Sequence, residues 1–219
     1  GKISKEFNLW MHVDAAMVGT AAICPEYQHI QKGLEFAQSY VFNPHKWMLT
    51  NFDCSCLFIK NQNYLINALS IMPEYLKTES SNNDEVIDYR DWQISLGRRF
   101  RSLKLWAVIR YYGVDGLQDY VRNHISLTQK LLDWINADKN FEVIAPAPFN
   151  LICFRAKGSN KLNRNLLNYI NDSGEIFITH TILKDLFTLR LCVGQTHTNI
   201  KHIKQAWDLI RDGLIEVKK

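Results

Sequence analysis

Two residues of this sequence could do covalent and acid–base chemistry together. Lys46 stands in Phe42-Asn43-Pro44-His45-Lys46-Trp47-Met48-Leu49, and Asp14 in the run Leu9-Trp10-Met11-His12-Val13-Asp14-Ala15-Ala16. A lysine between His45 and Trp47, just after an Asn-Pro turn signal, is poorly suited to remain a solvated surface charge. Buried amines are the more readily neutral, and a neutral amine attacks carbonyls. The plainer alternative is a stem lying along a loop end with its charge in water. Asp14 shifts the balance. It lies 32 positions earlier, in a run apolar enough for a central parallel strand. Acidic residues at the carboxyl ends of such strands lie where open α/β sheets bind ligands.

One carboxylate and one activatable lysine, each at a strand end, is the pair that pyridoxal phosphate requires. The lysine holds the cofactor's aldehyde, and the carboxylate keeps the pyridine nitrogen protonated so that the ring draws electrons. Ala15, Ala16 and Gly19 are small enough for a flat ring to approach closely. His12, two residues before Asp14, shares a strand face with it; a satisfied core histidine is the alternative.

Three stretches carry a family resemblance: His12-Val13-Asp14-Ala15-Ala16, Asn43-Pro44-His45-Lys46-Trp47 and Asp91-Trp92-Gln93-Ile94-Ser95-Leu96-Gly97-Arg98-Arg99. Together they resemble the group II pyridoxal-phosphate decarboxylases, most closely the aromatic L-amino acid decarboxylases, in order along almost the whole chain. The resemblance implies the carboxyl-terminal part of a longer enzyme, α/β in class. Residues 1–103 would be the end of a fold-type-I large domain, and residues 104–219 a small α+β domain. It further implies pyridoxal 5'-phosphate as cofactor, an aromatic amino acid as substrate, and a homodimer with active sites at the subunit interface. Lys46 would hold the cofactor, with Asp14, Ala16, Asn43 and His45 around it and His12 beside the ring. Tyr75 matches a loop tyrosine that protonates the substrate carbon, where related plant aldehyde synthases often carry phenylalanine. A phenol can deliver a proton and a benzyl ring cannot. Gly97 matches a position that leaves room for a bulky ring, although a glycine that merely ends a turn is an equal explanation. Arg190 matches an arginine at the active-site entrance. An aromatic aldehyde synthase, a decarboxylase of another amino acid, and an inactive folded piece with a structural or dimerising role are the alternatives.

Composition narrows the remaining classes. The 219 residues are 47% hydrophobic with a net charge of +4, an ordinary globular balance. The only dense basic run, Arg98-Arg99-Phe100-Arg101-Ser102-Leu103-Lys104, lacks the stacking aromatics of a nucleic-acid surface, so no nucleic-acid partner is expected. No apolar run reaches the length of a membrane span, no leader is visible, and a cytoplasmic location is expected. The five cysteines read as buried free thiols in a reducing compartment. Cys54-Ser55-Cys56 fits no common zinc spacing, and no metal is expected.

The elements that must position these residues follow from periodicity. A short helix is predicted at 29–34, a strand at 35–42 delivering the chain to Asn43, and a strand at 55–59 leaving the lysine turn. Residues 72–87 form a polar loop. Helical spacing runs over 102–112, breaks at Gly113-Val114-Asp115-Gly116, and resumes from Leu117 to Ile135. Strands at 141–145, 149–155, 176–181 and 186–193 and helices at 162–170 and 200–214 complete an α+β cap, with Gly174 stopping the first of these helices. Within it Arg190 is a charge in an apolar strand and calls for a partner.

Overall fold

The structure, a computed structural model, describes residues 1–70 and 87–219 and divides into two compact units, Gly1–Gly113 and Val114–Lys219. The division falls at Gly113, which takes φ 65° and ψ −178° inside the helical residues Arg101–Ala137 (α4). The sequence predicts a break over 113–116, but Asp115 and Gly116 are helical. One glycine in a conformation that L side chains rarely adopt is enough.

In the first unit, β1 (His12–Asp14), β2 (Ser39–Phe42) and β3 (Cys56–Ile59) form a sheet in the order β1-β2-β3. β1 and β2 run parallel, with His12, Val13 and Asp14 opposite Ser39, Tyr40 and Val41; β3 is antiparallel to β2. The expectation of a central buried strand at His12–Asp14 is corrected here. Among the described residues β1 is an edge strand, and His12 and Asp14 are exposed with Val13 half-buried between them. The pleat explains the pattern, because alternate residues face opposite sides.

Between β1 and β2 the chain forms three 3-10 turns, Val18–Ile23, Pro25–Gln31 and Leu34–Phe36, rather than one helix at 29–34. Pro25 opens the second turn, and Gly33 at φ 92° separates it from the third. That last turn also takes the first residues expected for β2, so the strand begins at Ser39. Gly19 is required where it stands: a Cβ there would lie 2.6 Å from the Tyr40 hydroxyl and 2.9 Å from Phe42 Cβ.

The second unit is an antiparallel sheet in the order β4-β5-β7-β6, made of Phe141–Val143 (β4), Leu151–Ala156 (β5), Thr179–Leu183 (β6) and Leu186–Cys192 (β7). Helices Asn160–Asp172 (α5) and Ile200–Glu216 (α6) belong to the same unit, as does α4 after Gly113. Leu131, Ile152, Phe154, Leu166, Leu189 and Ile210 are wholly buried in its core. Ser159 caps α5 by accepting from Leu162 N, and Asn199 with His202 forms a capping box on α6.

A buried arginine is present, but it is Arg155 rather than Arg190. Arg155 is 1% exposed and donates to the Gly158 carbonyl at 2.5 Å and to Asn160 Oδ1 at 3.3 Å, with Glu142 at 3.7 Å. Arg190 is half-buried, because alternation along β7 turns Leu189 and Leu191 inward and Arg190 to the other face. Among the described residues it forms no ion pair, so the partner its strand context called for is not needed.

Candidate active site

The parallel pair β1 and β2 ends at one edge, and backbone hydrogen bonds continue past both ends. Ala15 N donates to the Val41 carbonyl at 2.9 Å, and Asn43 N donates to the Ala16 carbonyl at 2.8 Å. The segment after Asp14 and the turn that carries Lys46 are therefore bound together where open sheets place their ligands. Asp14 Oδ1 accepts from Ala16 N at 2.9 Å, which fixes the carboxylate at the edge. Among the described residues its other oxygen has no partner.

Lys46 sits on a single helical turn, Pro44–Trp47 (α2), with Asn43 before it and Pro44 at its first position. Pro44 and Trp47 are the buried residues of this turn, three apart and on one side. Lys46 is consequently exposed, against the expectation of a buried lysine. The turn faces inward through its flanks and outward through its amine. Among the described residues that amine makes no hydrogen bond or ion pair, so it is open to a carbonyl compound.

His45 is fixed from behind. Its Nδ1 accepts from Cys54 N at 2.9 Å, its backbone N donates to the Cys54 carbonyl at 3.3 Å, and Phe52 lies edge-on at 4.9 Å. With Nδ1 occupied as an acceptor, the neutral ring carries its proton on Nε2. Asn43 Oδ1 accepts from Ser55 Oγ at 2.5 Å, which leaves the Asn43 amide hydrogens to serve an anion. Beyond this loop, Arg101 donates to Asp53 Oδ1 at 3.1 Å and Lys104 to the Asn51 carbonyl at 2.8 Å. The guanidinium holds the Asp53 carboxyl below its ordinary range.

On the strand face that carries Asp14, His12 Nδ1 lies 2.7 Å from Ser39 Oγ, and Trp10 Nε1 donates to the same oxygen at 2.9 Å. The Ser39 hydroxyl hydrogen has His12 Nδ1 as its acceptor, leaving Nε2 of the imidazole to point away as a donor. Ser39, Ser55 and Cys54 orient the histidines and Asn43, and sequence reasoning missed all three. The available signal was register: Ser39 is the direct partner of His12 across the parallel pair.

Asp14, Ala16, Asn43, His45 and Lys46 thus share one edge, with His12 on the adjoining face. Tyr75 lies outside the described residues. Gly97 is in the first unit with no atom within 4 Å of an added Cβ, and its φ is not positive, so no turn there demands glycine. Arg190 belongs to the second unit. The donor set suits a phosphorylated aromatic aldehyde: an amine for the carbonyl, a carboxylate for a ring nitrogen, and amide and imidazole donors for a phosphate.

Comparison with known proteins points to the same cofactor. The family profile described as the pyridoxal-dependent decarboxylase conserved domain matches residues 1–157. A tyrosine decarboxylase 2 from Narcissus pseudonarcissus is 50% identical over 97% of this chain and 44% of its own length. A phenylacetaldehyde synthase from Arabidopsis thaliana is 48% identical over 97% of this chain and 45% of its own. Among solved structures, an Oryza sativa TDC with PLP and tryptamine superposes with a TM-score of 0.95 at 37% identity, covering 100% of this chain and 47% of that one. The chain spans about half the length of the relatives it matches.

Proposed function

The chain belongs to the pyridoxal-dependent decarboxylase family and shares the fold-type-I architecture of its relatives, and from that premise we propose that it serves decarboxylation of an aromatic L-amino acid to its amine and carbon dioxide. The single observation behind the proposal is the shared edge, where hydrogen bonds past the ends of β1 and β2 keep Asp14 and the Lys46 turn together. Pyridoxal phosphate, when bound, supplies the electron sink that accepts the electron pair left by the departing carboxylate.

The chain's own residues would do the rest. Lys46 would hold the cofactor through Nζ, an amine able to bond its aldehyde. Asp14 keeps a proton on the ring nitrogen, its geometry fixed by Ala16 N. Asn43 and His45 donate toward the phosphate with the hydrogens that Ser55 and Cys54 leave to them. His12 lines the ring's surroundings, and Tyr75 returns a proton to the α carbon. Gly97 leaves room for the substrate's ring, and Arg190 stands at the entrance. Residues 1–103 act as the end of the cofactor-binding domain and 104–219 as the small domain of a cytoplasmic homodimer. Among the described residues no helix is long and apolar enough to cross a membrane.

A second reading has a specific observation behind it, namely the likeness to a phenylacetaldehyde synthase. Incubating the full-length protein with L-tyrosine, L-tryptophan and L-phenylalanine separates the two. Carbon dioxide with amine is the expected result, and aldehyde with ammonia would establish the synthase instead. No gas release from any aromatic acid, in protein that holds the cofactor, would overturn both.

A further inference from the structure

The dense basic run at 98–104 has no part in the chemistry proposed above, yet two of its cations grip the loop behind the lysine turn. Arg101 and Lys104 stand three apart in the first turn of α4, on one side of the helix. Arg101 Nε donates to Asp53 Oδ1 at 3.1 Å and Lys104 Nζ to the Asn51 carbonyl at 2.8 Å, so the two grips fall on either side of Phe52. Stability explains neither. Cations in a first turn stand against the helix dipole, and this turn holds no acid to offset them. The Arg101 and Asp53 side chains are 32% and 43% exposed, where an ion pair adds little. What the grips reach is the candidate site. Phe52 lies edge-on to His45, the Cys54 backbone holds His45 through its amide and its carbonyl, and Ser55 donates to Asn43. Cys54 acts here through its main chain alone. All five cysteines are free; Cys24 and Cys54 are buried, Cys56 and Cys153 half-buried and Cys192 exposed, so the expectation that they are generally buried fails at Cys192.

We propose that Arg101 and Lys104 are positioning residues: by clamping Asp53 and Asn51 they hold the loop that fixes the His45 ring with its proton on Nε2. The clamp acts through the chain rather than by contact with any ligand. Asp53 is followed at once by Cys54, whose amide occupies His45 Nδ1 at 2.9 Å. With that nitrogen taken as an acceptor, the ring has one way to sit and one hydrogen to offer. A loop released at Asn51 and Asp53 lets the Cys54 amide draw back, and the ring is then free to turn and to exchange tautomers. The inference rests on the phosphate role proposed for His45 and Asn43 in one respect only, the effect on cofactor affinity. A ring ordered beforehand spares the cofactor the cost of ordering it on binding.

Arg101→Glu is the sharpest probe. It turns attraction to Asp53 into repulsion, while placing at the helix N-terminus a charge that the dipole favours. In the full-length protein freed of cofactor, nitrogen-15 spectra of His45 should show one bare and one protonated ring nitrogen in the parent. In Arg101→Glu they should show the averaged signals of two tautomers. Pyridoxal phosphate should bind this variant about tenfold more weakly, with the unfolding midpoint of the cofactor-free protein unchanged. Adding Asp53→Arg, which restores the pair with its charges exchanged, should recover both the spectra and the affinity. Parent-like His45 spectra in Arg101→Glu, or no recovery when the charges are exchanged, would overturn the proposal. Spectra that change and recover while the cofactor binds every variant equally would uphold the clamp and overturn instead the phosphate role of His45.

Discussion

In the second unit, apolar side chains from α4, α5, α6 and the strands β4, β5 and β7 close on one another, with Leu131, Ile152, Phe154 and Ile210 out of contact with water. The first unit is built the other way round. Phe52, Phe7, Trp10, Ile94, Phe100 and Trp106 are all more than half exposed. The difference separates two ways of using sequence. The second unit devotes its apolar residues to its own core, whereas the first devotes its hydrogen bonds to fixing a few polar side chains at a sheet edge. Exposed apolar area on this scale is what the subunit interface proposed above would cover.

The comparison can be broken most severely at Lys46. Lys46→Ala in the full-length protein should abolish both decarboxylation and cofactor fixed by borohydride, while the circular dichroism and unfolding midpoint stay unchanged. Retained fixation would move the site to another lysine. In the second unit the large expected effect is on stability: Phe154→Ala should cost about 3–5 kcal/mol in denaturant unfolding. A loss under about 1 kcal/mol would show that the core is looser than its burial implies.

His124 tests the same core by pH. It is fully buried, its Nε2 lies 3.2 Å from the Gln195 carbonyl, and burial holds its pKa below the ordinary 6.5. The unfolded chain therefore takes up the proton first. Stability should be undiminished above pH 6.5 and fall as pH drops below it, levelling only below the folded pKa. Melting temperatures measured across that window should show the slope in the parent and a weaker one in His124→Gln. Asn199→Ala, which removes the capping box of α6, should cost about 1 kcal/mol. Arg101→Ala sits at the small end: its pair with Asp53 is exposed and screened, so the unfolding midpoint should not move.

What could be read from the sequence follows the range of the interactions. Lys46 and Asp14 stand out as candidates in the sequence because each is marked by its near neighbours. The α6 core face was legible as well, with Ile203, Trp207, Ile210 and Leu214 at helical spacing and buried. The edge position of β1 was not, because an apolar run is the same run in the middle of a sheet or at its margin. The outward amine of Lys46 was missed because the burial of Pro44 and Trp47, not of the lysine, sets that turn. The contact of Ser39 with His12 spans 27 positions and needs the strand register to be known first. Arg155 escaped notice at the end of a strand, where only the folded chain brings Gly158 and Asn160 round to its guanidinium.

The ties between Ala15 and Val41 and between Asn43 and Ala16 run through main-chain atoms alone. Any residue except proline at positions 15 and 43 can supply the same amide, and every residue supplies the carbonyl. The spacing of acid and amine is therefore insulated from drift in the surrounding side chains. A lineage could exchange the surrounding side chains without having to rebuild the main-chain link between the Asp14 segment and the Lys46 turn.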